Sequence, residues 1–412
     1  MLSLAMPAAA PPELTPAQVR EDFGVFCSEV QSTYAYFDVK VTRWDSVAAL
    51  YEPDLRRVRT RQDFVVLLER AIAELYDDHA HLTVNTAESP MLVPSGADLW
   101  AEWVGSVATV TDVRQGSDAE RAGIRAGTVV LALNGIPIAE ATERMIGRAV
   151  PKDDPAVRNW ALRRVLAGRH SEGRRIEADQ QGSRRIFELP VKRTSAGDLP
   201  PVTFKRLDGD VGYIRFTDSL GDTATIAEFD RALAALRDTR GLVVDLRETP
   251  SGGNSTIARG ILGRFVTRET PYQKHALPAE ERATGISRSW LELVSPRGSF
   301  PYAGPVAVLV GRWTGSMGEG LAIGFDGVGR ATTVGGPMAQ LLGATYRIEL
   351  PHSKIGVSLP AERLCHVNGT PREAFQPSVV VRGESGADHD AVLEAGVRAV
   401  SSASGSSARQ RL

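Results

Sequence analysis

Cysteine is nearly missing from this chain: Cys27 and Cys365 are the only two in 412 residues. Far apart and in unlike surroundings, they exclude both a disulfide scaffold and a cysteine-ligated zinc site. No run approaches the roughly 18 consecutive apolar residues of a membrane-spanning helix, so no integral membrane span is expected. Charge of one sign is also lacking, because 48 Lys+Arg face 50 Asp+Glu for a formal charge of −2. No global field therefore draws in nucleic acid or an anionic membrane surface. What is present is a globular composition, 42% apolar and 24% charged, over 412 residues. That length exceeds the roughly 100–200 residues of one domain and predicts two or three.

Residues 1–12 (MLSLAMPAAAPP) end in an Ala-rich stretch like the cleavage region of a secretory signal, without a basic leader or a full apolar run. They read as a signal remnant or a disordered terminus, leaning toward an exported protein of the periplasm or cell envelope. From Thr15-Pro16 the pattern turns helical, with Val19, Phe23, Phe26 and Val30 on one face. A second amphipathic helix carries Phe64, Leu67, Leu68, Ile72 and Leu75, then runs into the polar loop Asp77-Asp78-His79-Ala80-His81. Residues 13–87 form a helical unit on this reading.

Short strands and turns follow over 88–197. Val107 to Val113 alternates as a strand, Ala119 to Ala122 is a brief helix, and Thr128 to Leu133 is a strand closed by Asn134-Gly135. The run GSDAERAGIRAGTVVLALNGIPI resembles the core of a PDZ domain. Arg158, Arg163, Arg164, Arg174 and Arg175 belong to a basic excess here, but Glu172, Glu177, Asp179 and Glu188 are interleaved and no aromatic platform accompanies the charge. A charged surface is expected rather than a nucleic-acid site.

Over 198–400 the rhythm is strand, helix, strand, helix, which predicts an α/β unit with a parallel sheet. Gly212 to Phe216, Gly241 to Asp245 and Pro305 to Val310 are its strands; Ile226, Phe229, Leu233 and Leu236 mark one helix. The Ser-rich tail 401–412 reads as disordered. Ligands of such sheets bind at the carboxyl ends of strands, beside helix amino termini. Two loops there carry chemistry: Thr249-Pro250-Ser251-Gly252-Gly253 and Thr314-Gly315-Ser316-Met317-Gly318-Glu319. They offer a hydroxyl nucleophile and backbone N–H groups for an oxyanion. Thr314 breaks the Gly-x-Ser-x-Gly elbow of an α/β-hydrolase.

The ordered motifs DDHAHL, GYIRF, DLRETPSGG, VAVLV with TGSMGE, and GTPREAFQPSVVV resemble the C-terminal-processing peptidase family, which includes tail-specific proteases and the tricorn core. The resemblance covers most of residues 60–400. It implies a ClpP/crotonase-like catalytic domain, an N-terminal helical unit, a PDZ-like β-rich domain and serine-type peptide hydrolysis without a cofactor or metal. Carried onto this chain it makes Ser316 the nucleophile. The Ser–Lys branch requires a lysine in a Gly-Lys step, and Gly335 to Leu341 holds none. The tricorn-like branch implies His79 as base and Glu373 as relay acid, 57 residues after Ser316, with Asp78 available to orient His79. Oxyanion donors would be the N–H of Gly252 or Gly253 and of Met317. Thr249 and the extra Ser251 depart from the family's Asn-x-Gly-Gly turn, and Phe375-Gln376-Pro377-Ser378 from its closing motif. His79-x-His81 also has a metal-ligand spacing, but it follows a helix in a chain without an eightfold βα pattern, so His81 reads as a packing partner.

The expected partners are a peptide or protein substrate, with oligomerisation left open. Two other functions fit the same residues: a non-catalytic peptide- or hydrophobic-ligand-binding protein, and an esterase or amidase using the same serine.

Overall fold

Thr15 and Thr60 start the first long helices by the same chemistry. Each side chain accepts the N–H three residues on, while Gln18 or Asp63 reaches back to the threonine's own N–H. The computed structural model describes residues 14–191, 200–381 and 389–409; the expected signal remnant at 1–12 lies outside them. Helices α1 (Pro16–Thr33), α2 (Val47–Leu55) and α3 (Arg61–Ile72) make the N-terminal unit. Its core of Phe23, Phe26, Tyr51, Phe64 and Leu68 does not close on itself, for Leu350, Ile355, Val357 and Leu359 complete it. The short strand β1 (His81–Leu82) leaves this unit to join a sheet of the C-terminal half. That pairing carries the His79 loop across more than two hundred positions of sequence.

The middle unit is a six-stranded sheet of order β2-β3-β4-β6-β7, with β5 on β4. Its strands are β2 (Leu99–Val104), β3 (Val107–Val113), β4 (Val129–Leu133), β5 (Ile136–Pro137), β6 (Arg174–Gln180) and β7 (Ser183–Leu189). Helices α4 (Asp118–Arg121), α5 (Ile138–Met145) and α6 (Pro155–Ala167) accompany it. The helix α6 was not legible as one, because its arginines read as surface charge. Asp154 caps it, Pro155 opens it, and Val157, Ala161, Leu162 and Leu166 are buried.

The catalytic-type half is built on β8 (Val202–Leu207), β9 (Val211–Phe216), β10 (Gly241–Asp245), β11 (Thr270–Ala276), β12 (Ser289–Val294), β13 (Val306–Val310), β14 (Thr332–Gly335), β15 (Ala344–Glu349), β16 (Gly356–Cys365) and β17 (Val379–Val380). Its helices are α7 (Ala224–Ala235), α8 (Ser255–Leu262), α9 (Pro278–Thr284), α10 (Met317–Gly327) and α11 (Ala391–Arg409). One sheet has order β17-β14-β13-β10-β9-β8, parallel except for β8. Strands buried on both faces, such as the run Val306–Val310, are what such a sheet requires. Residues of α7, α8 and α10 pack one face, and Ala395 and Val400 of α11 pack the other. A second, antiparallel sheet of order β1-β16-β11-β12, with β15 on β16, lies beyond α10. The mixed α/β architecture expected from the sequence is present. The tail departs from expectation: α11 continues through Ser401 and Ser402 to Arg409, with Val400 packed against the backbone of Gly241.

Candidate active site

Ser316 stands where β13 ends and α10 begins. It holds φ 50° and ψ −112°, a conformation that residues with a side chain rarely adopt and that costs on the order of 1–3 kcal/mol. Glu319, fully buried on the first turn of α10, accepts the Ser316 backbone N–H at 2.9 Å. The same carboxylate accepts the N–H of Gln340 at 2.8 Å and of Leu341 at 3.2 Å. Burial pushes its pKa up to about 7, with the nearby Arg372 charge and these N–H donors working in the opposite direction.

The glycine turn faces the serine. At Gly252, φ is 67° and an added β-carbon would stand 2.4 Å from Ser316 Cβ, so only glycine fits. Asp218 pins the turn: its two oxygens accept the N–H and the O–H of Ser251, each at 2.7 Å. The residue that departs from the family's turn is thus an anchored one. Gly252 donates its own N–H to Thr249 O at 3.1 Å, which removes it as an oxyanion donor. Among the described residues, the N–H groups of Gly253 and Met317 have no partner.

His79 reaches this neighbourhood on the loop before β1. Asp77 shapes that loop by accepting the His79 N–H at 2.8 Å and the Tyr34 hydroxyl at 2.7 Å. The imidazole Nδ1 lies 2.7 Å from Leu342 O. A carbonyl only accepts, so Nδ1 carries the proton and Nε2 presents a lone pair. Burial, followed by the Arg372 charge, lowers the His79 pKa to about 4, so the ring is neutral at pH 7. The loop that receives His79 is the one Glu319 holds. Arg372 fastens it further, donating to Leu341 O and Gly343 O, both at 2.8 Å.

The expected residues are not all joined. No hydrogen bond links Ser316 to His79; the connection runs through residues 340–342 and Glu319. Glu373 does not bond His79 either. Its Oε2 is buried without a partner, as is the Tyr36 hydroxyl, and burial raises its pKa. Asp78 has no hydrogen bond to the ring and lies 3.7 Å from Arg163. The adjacent Asp77, not singled out from sequence, holds the His79 backbone, while Leu342 O holds the ring. His81 donates from Nδ1 to His79 O at 3.1 Å and sits in strand β1. Two adjacent aspartates look alike in sequence, and here their side chains have different partners: Asp77 bonds Tyr34 and the His79 N–H, while Asp78 faces Arg163.

The middle unit touches both the His79 loop and the loop before Ser316. Trp100 of β2 lies between the guanidinium of Arg163, 4.8 Å from its ring, and that of Arg312, 4.7 Å from it. Arg163 faces Asp78, and Arg312 precedes Trp313, whose indole N–H donates to Ala97 O at 2.8 Å. On β2, Asn159 of α6 accepts the Trp103 N–H at 2.8 Å.

Comparison with known proteins follows the same division. Residues 210–381 match peptidase family S41, and residues 15–73 match the tricorn protease C1 domain. No curated protein matches the chain. Among solved structures, mature CPAF is similar with 17% identity and a TM-score of 0.61, over 89% of this chain and 92% of that one. The photosystem II D1 C-terminal processing protease is similar with 18% identity and a TM-score of 0.54, over 89% and 94%. A lipoprotein from Streptococcus agalactiae is similar with 11% identity and a TM-score of 0.53, over 97% and 99%. At these identities the likeness is one of fold.

Proposed function

We propose that this chain, whose residues 210–381 match peptidase family S41, is a serine peptidase with Ser316 as its nucleophile, His79 as its general base and Glu373 as the acid that steadies the base. The observation that carries this reading is a strained serine at a helix start, beside unpartnered N–H groups, on a framework shared with a neutral histidine. In the reaction, His79 Nε2 takes the Ser316 hydroxyl proton as Oγ attacks the peptide carbonyl. The oxyanion is received by the N–H groups of Met317 and Gly253, aided by the positive end of α10. His79 then returns the proton to the leaving amine, and water resolves the acyl-enzyme. Closing Oγ onto Nε2 requires the 340–342 loop to move or substrate to draw the groups together, as resting enzymes often require. In this reading Glu373 Oε2, which is buried without a partner, takes over Nδ1–H when it leaves Leu342.

The middle unit, read as PDZ-like, serves this reaction as a gate rather than by strand addition at β2, where Asn159 takes the Trp103 N–H. Its contact with both loops through Arg163, Trp100 and Arg312 supports that role. The test is S316A in purified protein: peptide cleavage and labelling by a serine-reactive phosphonate are both expected to vanish. Undiminished turnover removes Ser316 from the role. The separation of Ser316 from His79 favours one rival, a ligand-binding protein, which predicts peptide binding with no labelling of the wild type.

A further inference from the structure

A cavity of about 560 Å³ lies between the middle unit and the carboxyl ends of β9 and β10. Ser251 forms part of its wall, one residue before the glycine that packs on Ser316. Successive Cα atoms are about 3.8 Å apart, so the cavity opens within a residue or two of the scissile position.

The ionised groups around it are mostly satisfied. Glu248 pairs with Arg114 at 2.9 Å, Asp98 with Arg174 at 2.6 Å, and Asp118 with Arg121. Asp218 spends both oxygens on Ser251. Arg215, the penultimate residue of β9, is the exception. It is half-buried on the cavity wall, and although its backbone pairs in the sheet, its guanidinium has no hydrogen bond or ion pair among the described residues, while Glu248 feels its charge. A guanidinium offers five donors in a planar fork that suits a carboxylate, and withdrawing it from water without an acceptor is unfavourable. The carboxylates of Glu248 and Asp218 on the same wall repel a dianion more than a monoanion, which disfavours a phosphate.

We propose that Arg215 is a specificity residue of this peptidase, receiving a substrate carboxylate close to the scissile bond. The proposal rests on the peptidase reading for its consequence in turnover, but not for its consequence in binding. The carboxylate comes from an Asp or Glu side chain or from the substrate's own C-terminus.

The experiment uses matched peptides carrying Asp or Asn, and Glu or Gln, at each of three positions either side of the cleavage point, each with a free and an amidated C-terminus. Wild type is expected to favour the carboxylate over its amide by roughly ten- to hundredfold in kcat/KM, the range of one charge-assisted hydrogen-bonded contact. In R215Q that ratio falls to near one, while R215K keeps part of it and thermal melting verifies both folds. Loss of the preference on amidation assigns the C-terminus; its loss on Asp→Asn or Glu→Gln assigns a side chain. Equal turnover of all pairs by wild type, or an unchanged ratio in R215Q, overturns the proposal. Peptide affinity measured on S316A, with and without R215Q, gives the same ratio without turnover. If wild type cleaves nothing and is not labelled, the peptidase reading fails while that binding ratio still decides Arg215.

Discussion

Glu319 accepts the backbone N–H of Ser316 at 2.9 Å, so the strained serine is held by a side chain rather than by its own turn. The same carboxylate fixes Gln340 and Leu341, whose loop receives His79. E319A leaves three N–H groups and the Arg372 charge without their acceptor. Breaking a buried charged network of this kind costs about 3–5 kcal/mol. The expected outcome is a lower denaturation midpoint together with peptidase activity reduced at least about a hundredfold, since the loss reaches both nucleophile and base. E319Q tests charge against shape: its amide NH₂ faces an N–H donor, so partial folding stability with little activity is expected in urea titration and turnover assays.

Gly252 and Ser316 come as close as two residues can without a side chain on the first. Alanine at 252 meets Ser316 Cβ at 2.4 Å in a backbone with φ 67°. The left-handed conformation alone costs roughly 1–2 kcal/mol for an L-residue, and the overlap adds to it. G252A is therefore expected to abolish phosphonate labelling while circular dichroism remains native. Retained labelling would mean that the turn can move away from the serine.

Asp218 offers a gentler probe of the same turn. D218A frees the N–H and O–H of Ser251, both exposed, so stability should change little. The proposed oxyanion donor at Gly253 loses its anchor, and kcat is expected to fall by roughly tenfold or more with KM less affected, as for a group positioned for the transition state. D218N, which retains one acceptor oxygen, should fall between the two.

His79 sets the acid side of the pH profile. Its pKa is lowered to about 4 by burial and then by Arg372. The base therefore stays neutral well below the usual histidine range, and the acid limb of kcat/KM is expected below pH 6.5. The linked stability has a definite sign. Neutral His79 contributes in full above the unfolded pKa of roughly 6.5, and that contribution falls away as pH drops toward 4. A limb centred at 6.5 would show that His79 is not the titrating base, and H79N separates its contribution from that of Glu373.

Several of these features are legible in the sequence. The cap at Thr15, the apolar strand ending at Val310 and the serine at the next helix start all follow from local pattern. The second sheet is not, because β11 and β12 are joined through α9 and β15 and β16 through Leu350 to Ile355, without an Asn-Gly turn to mark them. Yet those strands bring His79 across the fold, through β1 on β16. The helix α6 shows a second limit. A row of arginines signals solvent in sequence, whereas Arg163 stacks on Trp100 and faces Asp78, its long stem lying along the interior. Partner choice among neighbours, as between Asp77 and Asp78, is a tertiary outcome that local pattern does not encode.

The second sheet also carries a titrating cluster that the peptidase reaction does not use. His275 of β11 has Glu362 of β16 at 2.6 Å from Nδ1 and Glu292 of β12 at 3.0 Å from Nε2. Gln273 approaches Nε2 at 3.0 Å, and Trp290 stacks on the ring at 4.9 Å. Tyr346 donates to Glu362 and Arg259 pairs with Glu292, so both carboxylates are held from behind. Burial opposes charging the imidazole, but the bonds to Glu292 and Glu362 outweigh it and raise the pKa to about 8. A raised folded pKa means that this stabilisation is complete below the unfolded value of roughly 6.5 and is lost as pH rises through about 8. Thermal melting is therefore expected to fall between pH 6 and 9 in wild type and to lose that slope in H275Q. Because β16 carries β1, the same deprotonation loosens the sheet that holds the His79 loop, and a variant with the wild-type slope intact would place the titration elsewhere.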